Sequence, residues 1–327
     1  MKCLITGIAG FVGSHLFEHI CKNTDWEIVG LDRLDVAGNL NRIAEVLEGN
    51  PEFKSRFKFV FHDLKAELNP TVANDIGDIN YVYHLAASSH VDRSITDPMG
   101  FVMDNVVGTT NILNWARQVD GLDKFLYANT DEIFGDAPIG VNYTEKDLFN
   151  PKNPYSGAKC AAGMMCNSYY HTFELPIIQT CTMNMYGQKQ VEKFVPTLIK
   201  KIYNEEEVDI HVDDSNKPGS RGWIHARNAS AAWLFLTDYG TVGELYNMPA
   251  HKELDNLEMA ELIAKYIGKP LKHRKVNFHN TIRGRGHDLR YGLDGTKLTN
   301  LGFKYPIGFE ESLKETVWWT LTNRRWL

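Results

Sequence analysis

Five cysteines in 327 residues, with no CxxC pair and no even framework, offer little material for a metal cage or a disulfide scaffold. Cys3, Cys21, Cys160, Cys166 and Cys181 are therefore read as reduced thiols. No apolar run is long enough to span a bilayer, and the first residues lack the apolar stretch and cleavage site of a signal peptide. The cytoplasm is the expected compartment, and no membrane partner is expected. Basic charge is not in excess either: 35 Lys and Arg stand against 41 Asp and Glu, a net charge of −6. Such a chain has no basic field for nucleic acid, although a few arginines could still gather around one diphosphate. Flexible linkers, repeats and low-complexity stretches are also missing. What remains is an ordinary globular composition, 43% hydrophobic and 23% charged, long enough for one or two domains.

The first half alternates short apolar runs with helical spacing. Candidate strands are Cys3–Thr6, Glu27–Leu31, Phe57–Phe61, Tyr81–Leu85, Lys124–Ala128 and Ile177–Cys181. Between them, Leu40, Ile43, Val46 and Leu47, then Val106, Ile112, Leu113 and Ala116, recur at helical intervals. Strand alternating with helix implies right-handed crossovers and an α/β fold with a doubly wound parallel sheet. After about Tyr186 the alternation breaks down. Helices are expected near Phe194–Tyr203, Leu257–Ile267 and Phe309–Leu321, separated by turn-rich stretches at Asp213–Gly222 and Arg283–Gly295. Residues 1–186 are assigned to a cofactor domain, rejoined by segments near 222–248 and 281–292. Residues 187–327 form mainly a smaller α/β lobe that binds substrate.

Gly7-x-x-Gly10-x-x-Gly13 follows the first strand and opens the first helix. Glycines there permit a tight turn and let backbone N–H groups approach a pyrophosphate at the positive helix end. A tight strand-to-helix turn alone would use the same residues. Asp32 strengthens the first reading, because it ends the second strand where a carboxylate accepts from a ribose 2′-OH. An acid there repels a 2′-phosphate and favours NAD over NADP, although Arg33 beside it carries the opposite charge. Asp63, closing the third strand, suits an adenine contact and a loop cap equally well.

Tyr155-x-x-x-Lys159 begins just beyond Pro151 and Pro154, which stop any earlier helix and start a new one. At i and i+4 the two side chains share a helix face. A nearby ammonium favours the phenolate, which makes Tyr155 the best candidate for the base of a hydride transfer. An exposed helix pair is the plainer alternative. Thr130-Asp131-Glu132 follows the strand Lys124–Ala128, so it should face the nicotinamide beyond the carboxyl end of the sheet. Two adjacent carboxyls suit one acid and one base if their environments separate the pKa values. A loop with Asp131 as a cap and Glu132 in solvent is the alternative.

The glycine spacing with Tyr155 and Lys159 resembles the extended short-chain dehydrogenase/reductase superfamily. Ala86-Ala87-Ser88-Ser89-His90-Val91-Asp92-Arg93-Ser94-Ile95 and Asn129-Thr130-Asp131-Glu132-Ile133-Phe134-Gly135 look like signatures of dTDP-glucose 4,6-dehydratases. So do Ala37-Gly38-Asn39-Leu40 and Gly286-His287-Asp288-Leu289-Arg290-Tyr291, and the likeness runs from Lys2 to Trp326. Its most specific element is the Thr-Asp-Glu triplet. Related 4-epimerases usually carry small residues there, UDP-glucuronate decarboxylases a Ser-Glu, and GDP-mannose 4,6-dehydratases a Thr-Ser-Glu.

The resemblance implies a Rossmann-type cofactor domain and a nucleotide-sugar-binding lobe. NAD would be held by Gly7, Gly10, Phe11, Val12, Gly13, Asp32, Asp63, Leu64 and Ala86, with Tyr155 and Lys159. The nucleotide sugar would meet Ser89, His90, Arg93, Asn184, Glu192, Lys193, Arg221, Asn256, Arg283 and His287. His90 and His287 are hydrogen bonders in this reading, and no metal is expected. Tyr155 would take the C4 hydroxyl proton, Thr130 would bind the C4 oxygen, Glu132 would remove the C5 hydrogen, and Asp131 would protonate the departing C6 hydroxyl. The cofactor is borrowed and restored within each turnover, so it is expected to stay tightly bound. A homodimer is implied, through a four-helix bundle of Pro98–Gln118 and Pro154–Phe173. Departures from the pattern are Ser88 for Glu, Asn129 for Ser, Phe134 for Tyr, Cys181 for Arg, Gln188 for Pro and Gly222 for Asp. Two rivals remain: a 4-epimerase or oxidoreductase that leaves the carboxyls idle, and a non-catalytic sensor of NAD or a nucleotide sugar.

Overall fold

Strands buried on both faces read as nearly continuous apolar runs, and here such runs build the central layer. The computed structural model describes residues 1–282, 284–286 and 288–327. In chain order come β1 (Lys2–Thr6), α1 (Phe11–Asn23), β2 (Glu27–Asp32), α2 (Asn41–Gly49), β3 (Phe57–Phe61), α3 (Pro70–Ile76) and β4 (Tyr81–His84). Next are α4 (Val91–Thr96), α5 (Pro98–Phe101), a π-helical turn at Val102–Val107, α6 (Gly108–Ala116) and β5 (Lys124–Thr130). They are followed by α7 (Pro154–Phe173), β6 (Ile177–Thr182), β7 (Asn184–Tyr186), α8 (Phe194–Tyr203) and β8 (Val208–Val212). The chain continues with β9 (Ser220–His225), α9 (Ala226–Tyr239), β10 (Leu245–Met248), β11 (Lys252–Asp255) and α10 (Asn256–Ile267). It ends with β12 (His273–Asn277), α11 (Thr296–Asn300) and α12 (Phe309–Thr322).

Seven strands in the order β3-β2-β1-β4-β5-β6-β10 form one sheet with every pairing parallel. Its faces are covered separately. Phe17 and Ile20 of α1 pack with Ala229, Ala232, Trp233 and Leu236 of α9 on one side. Ile112, Leu113, Ala162 and Cys166 of α6 and α7 cover the other. Each aliphatic side chain so buried contributes roughly 1.5–3 kcal/mol of transfer free energy. A third core, with Ile199, Ile210, Ile263 and Leu313, holds the C-terminal lobe together. This is the doubly wound α/β architecture, with the strand order reversing between β1 and β4. Ligands bind in the crevice that opens at the carboxyl ends of the strands at such a reversal.

The six strands expected in the first half are all present, with ends shifted by at most two residues. β5 runs on to Thr130 because Asn129 and Thr130 keep register with Cys181 and Thr182. Beyond Tyr186 the difference is larger. β9 begins inside the stretch Asp213–Gly222 expected to be turn. The sequence pattern does not predict α9, because its buried face mixes Ala226, Ala229 and Ala232 with the polar Asn228, Ser230 and Thr237, which gives weak apolar periodicity. Near the C-terminus Trp326 is buried and donates to Glu45 Oε1 at 2.9 Å. Trp318 does not pack inward; it is 52% exposed on α12. The cysteines are free thiols, four of them buried.

Candidate active site

β1 ends at Thr6, and the chain turns at Gly7 with a φ of 72°, a conformation that favours glycine. A Cβ on Gly7 would lie 2.9 Å from the backbone of Ala86, which follows β4. A Cβ on Gly13 would lie 2.2 Å from the Gly7 carbonyl oxygen, so α1 packs against the turn only without a side chain there. Gly10 caps α1 and no side chain does, which leaves the leading N–H groups, those of Phe11 and Val12 among them, oriented toward an anion. Beneath this turn Thr6 Oγ1 accepts the Ala86 N–H at 3.1 Å and meets His84 Nδ1 at 2.7 Å. His84 Nε2 in turn meets Thr109 Oγ1 at 2.9 Å. Burial lowers the His84 pKa to about 3, so the ring is a neutral strut. Backbone N–H groups left uncapped at the start of α1 suit the pyrophosphate of a dinucleotide.

Asp32 is buried at the end of β2 and accepts the N–H groups of Ala9 at 2.9 Å and Leu34 at 2.8 Å. Those bonds fix its carboxylate at the rim of the cradle. Asp63 accepts the Lys65 N–H at 3.0 Å, the loop-capping role, and keeps part of its carboxylate exposed. Leu64 is buried, with its carbonyl held by Asn111 Nδ2 at 2.7 Å.

The catalytic candidates converge from two elements. Thr130 caps a single 3-10 turn, Asp131–Phe134, that carries both carboxyls. α7 starts at Pro154 because Asn153 caps it: Asn153 Oδ1 accepts the Ser156 N–H at 2.9 Å, and Ser156 Oγ accepts the Asn153 N–H at 3.2 Å. The Asn153 amide also donates to Glu132 Oε2 at 3.1 Å, so one residue orients both the helix of Tyr155 and the neighbouring carboxylate. Sequence reading passed over Asn153, although Asn before Pro is a legible helix start.

Asp131 is fully buried. Thr130 Oγ1 donates to its Oδ1 at 3.1 Å, and its Oδ2 has no hydrogen-bond partner. Burial, reinforced by the charge of Glu132, raises its pKa to about 8. It is thus a neutral acid at neutral pH. Tyr155 is buried with its phenol within hydrogen-bond reach of Thr130. Burial and the two carboxylates push that phenol up from its ordinary value. The Lys159 ammonium donates to the Ala128 carbonyl at 2.6 Å and sits 4.2 Å above the Tyr127 ring. Desolvation lowers the Lys159 pKa to about 8.

The residues expected to meet the nucleotide sugar fall into two groups, one joining the segment after β4 to the start of α8 and one around β7 and β9. His90 Nε2 contacts the Glu192 carbonyl at 2.9 Å, Arg93 pairs with Glu192 at 2.8 Å, and Lys193 donates to the Ser89 carbonyl at 2.7 Å. Asn184 is half-buried on β7, and Asn256 opens α10 with its N–H on the Gly219 carbonyl at 3.0 Å. Arg221 is buried over the Tyr291 ring and donates to the carbonyls of Ser220, Leu289 and Asp288, each at 2.7 Å. That leaves its Nε–H and one Nη2–H for a phosphate. Arg283 and His287 lie outside the described residues. Gly222 has a packing reason: a Cβ there would meet Met183 Cε at 2.4 Å and Ala250 Cβ at 2.5 Å, so an Asp has no room. Among the described residues, no group of three His, Cys, Asp or Glu could hold a metal ion, and no helix is long and apolar enough to cross a membrane.

Comparison with known proteins bears on this geometry. Residues 4–316 match the model of the family described as GDP-mannose 4,6 dehydratase. The chain is 35% identical over 319 residues to the low-salt glycan biosynthesis protein Agl12 of Haloferax volcanii, covering 97% of each chain. It is 33% identical over 350 residues to a dTDP-glucose 4,6-dehydratase of Salmonella typhimurium, covering 100% of this chain and 94% of the other. Its fold superposes on DesIV, a dTDP-glucose 4,6-dehydratase of Streptomyces venezuelae solved with NAD and dTDP bound. There the TM-score is 0.89 at 30% identity, with 100% and 98% of the two chains covered. A UDP-glucose 4-epimerase of Thermus thermophilus in complex with NAD gives a TM-score of 0.85 at 24% identity over 98% of each chain, a likeness of fold alone.

Proposed function

The chain belongs to the GDP-mannose 4,6-dehydratase family, and we propose that it is an NAD-dependent nucleotide-sugar 4,6-dehydratase. It converts a dTDP- or UDP-linked hexose, dTDP-glucose foremost, into the 4-keto-6-deoxy sugar with loss of one water. The observation that carries this reading is the pairing of a neutral, buried Asp131 with Glu132 beside Tyr155 at the end of β5. An enzyme that only oxidised or inverted C4 would have no use for an acid held protonated there. A triplet with Asp in the middle also favours a dTDP or UDP substrate over a GDP one.

NAD, when bound, supplies a hydride acceptor and donor and a positive charge beside the phenol; Gly7, Gly10, Phe11, Val12, Gly13 and Asp32 would hold it. Tyr155 then takes the proton of the C4 hydroxyl, and Thr130 hydrogen-bonds the C4 oxygen. The ketone so formed acidifies the C5 hydrogen, which Glu132 removes. Asp131 gives its proton to the C6 hydroxyl, and water leaves. The product carries a new hydrogen at C6 and a proton returned to C5. Lys159, held on the Ala128 carbonyl, would contribute positive charge near the phenol and a hydrogen-bond donor to the cofactor. Arg221 would take the diphosphate, with Ser89, His90, Arg93, Asn184, Glu192, Lys193 and Asn256 around the sugar and base. Incubation with dTDP-, UDP-, CDP- and GDP-hexoses should give loss of one water by mass from one or more of them. Turnover without that loss, or tight binding without turnover, would favour the epimerase or the sensor instead.

The protein is proposed to act as a homodimer. Met99, Val102, Met103 and Met164 are exposed on the helical segments 98–116 and α7, where apolar side chains have no reason to face water. Light scattering should return twice the mass of the chain; a monomeric mass would refute the bundle. Five free thiols fit the reducing compartment proposed for it, the cytoplasm.

A further inference from the structure

An arginine beside the ribose-reading acid is the usual means of accommodating a 2′-phosphate, and Arg33 stands in that place. Its guanidinium has five N–H groups, and each of them already has a carboxylate acceptor. Nε donates to Asp35 Oδ2 at 2.8 Å. Nη2 donates to Asp35 Oδ2 at 2.5 Å and to Asp104 Oδ2 at 2.8 Å. Nη1 donates to Asp104 Oδ1 at 2.5 Å and reaches Asp63 Oδ1 at 3.5 Å. The contact with Asp104 is the two-pronged fork that binds a carboxylate best.

Asp104 is itself held in place. It sits in the π-helical turn between α5 and α6, the kind of irregularity that re-aims a side chain at a functional site. Ser88, two residues beyond Ala86 of the cofactor cradle, donates its Oγ to Asp104 Oδ2 at 2.6 Å. The Ser88 N–H donates to Asn105 Oδ1 at 2.8 Å, and Asn105 returns a bond to the Ser88 carbonyl at 3.0 Å. Ser88 is one of the departures from the family pattern, which has an acid there; in this chain the acid in contact comes from Asp104 instead. Around the ribose edge Asp32, Asp35, Asp63 and Asp104 face Arg33, Lys65 and, on the Asp32 side, the buried Arg42, an excess of one negative charge.

We propose that Asp104, together with Asp35, sets the preference of this chain for NAD over NADP by occupying Arg33, so that a 2′-phosphate meets an acidic edge with no free guanidinium. The inference rests on the dinucleotide reading of the site and adds to it a specificity determinant outside the glycine motif. Asp104→Asn keeps an acceptor for Ser88 while removing the charge, and Asp35→Asn does the same on the exposed side. The full chain, stripped of nucleotide, would be titrated with NAD and with NADP at low salt. Wild type should bind NAD about a hundredfold more tightly than NADP, and Asp104→Asn should narrow that ratio by about tenfold, chiefly through tighter NADP. The double variant should narrow it further, and adding Arg33→Ala should reverse the gain. An unchanged ratio in both variants that still melt cooperatively, or a gain that survives Arg33→Ala, would overturn the role of Asp104. Wild-type protein that binds neither dinucleotide would instead remove the dinucleotide reading itself.

Discussion

Glu132→Gln should still oxidise its substrate at C4 but should fail to release water. The amide keeps an oxygen for the Asn153 donor and leaves the backbone of the 3-10 turn intact, since the Glu132 N–H is the group bonded to Thr130 Oγ1. What it loses is the lone basic oxygen that removes the C5 hydrogen. Loss of a positioned general base lowers a rate by about 10²–10⁴-fold. In heavy water, wild type should place deuterium at C5 of the product, and the variant should hold the sugar as its 4-keto form with C5 unexchanged. A variant that makes the 6-deoxy product at the normal rate would show that another group is the base. Tyr155, whose removal would block the first oxidation as well, would then have to be tested next.

Asp131→Asn tests the acid, and the test has a sign in both activity and stability. In the folded protein burial, and after it the charge of Glu132, raises the Asp131 pKa to about 8. As an acid it works in its protonated form, so the elimination step should be supported below about pH 8 and fade above it. The variant cannot supply a proton; its rate should fall by about 10²–10⁴-fold and lose that alkaline limb. For stability, the unfolded side chain titrates near about 3.9. Between that value and the folded one the native state holds a proton that the unfolded chain has released. The stabilisation is therefore fully present below the unfolded pKa and is lost as pH rises through the folded pKa. Asp131→Asn should accordingly melt close to wild type below about pH 4 and gain about 2–4 °C for each kcal/mol relieved as pH rises toward about 8, with no further change above it. A melting difference that stays flat from pH 5 to 9 would mean Asp131 is ionised throughout, and the role of acid would have to be given up.

The amino-acid sequence by itself determined the parallel sheet, because strands buried on both faces must be apolar along their length and that leaves a signal no neighbour can mask. It determined the cradle as well: Gly7 and Gly13 are demanded by local backbone geometry, which a short stretch of chain sets almost alone. The short strands β7 to β12 and the mixed small and polar face of α9 were not legible in the same way. Their residues are chosen by contacts with distant segments rather than by a period along the chain. In the site, the Thr130-Asp131-Glu132 and Tyr155-Lys159 pairs could be read, because each lies within a few residues. Their ionisation could not, since it depends on burial and on charges brought from elsewhere. Tertiary structure made Asp131 a neutral acid, sent the Lys159 ammonium to Ala128 rather than to the phenol, and set Asn153 against Glu132. It also settled what Arg33 faces. In the sequence Arg33 is a cation next to an acid, its sign pointing toward a 2′-phosphate. Only the folded chain brings Asp104 across 71 positions to close its fork, and Coulomb attraction acts through space, not along the sequence.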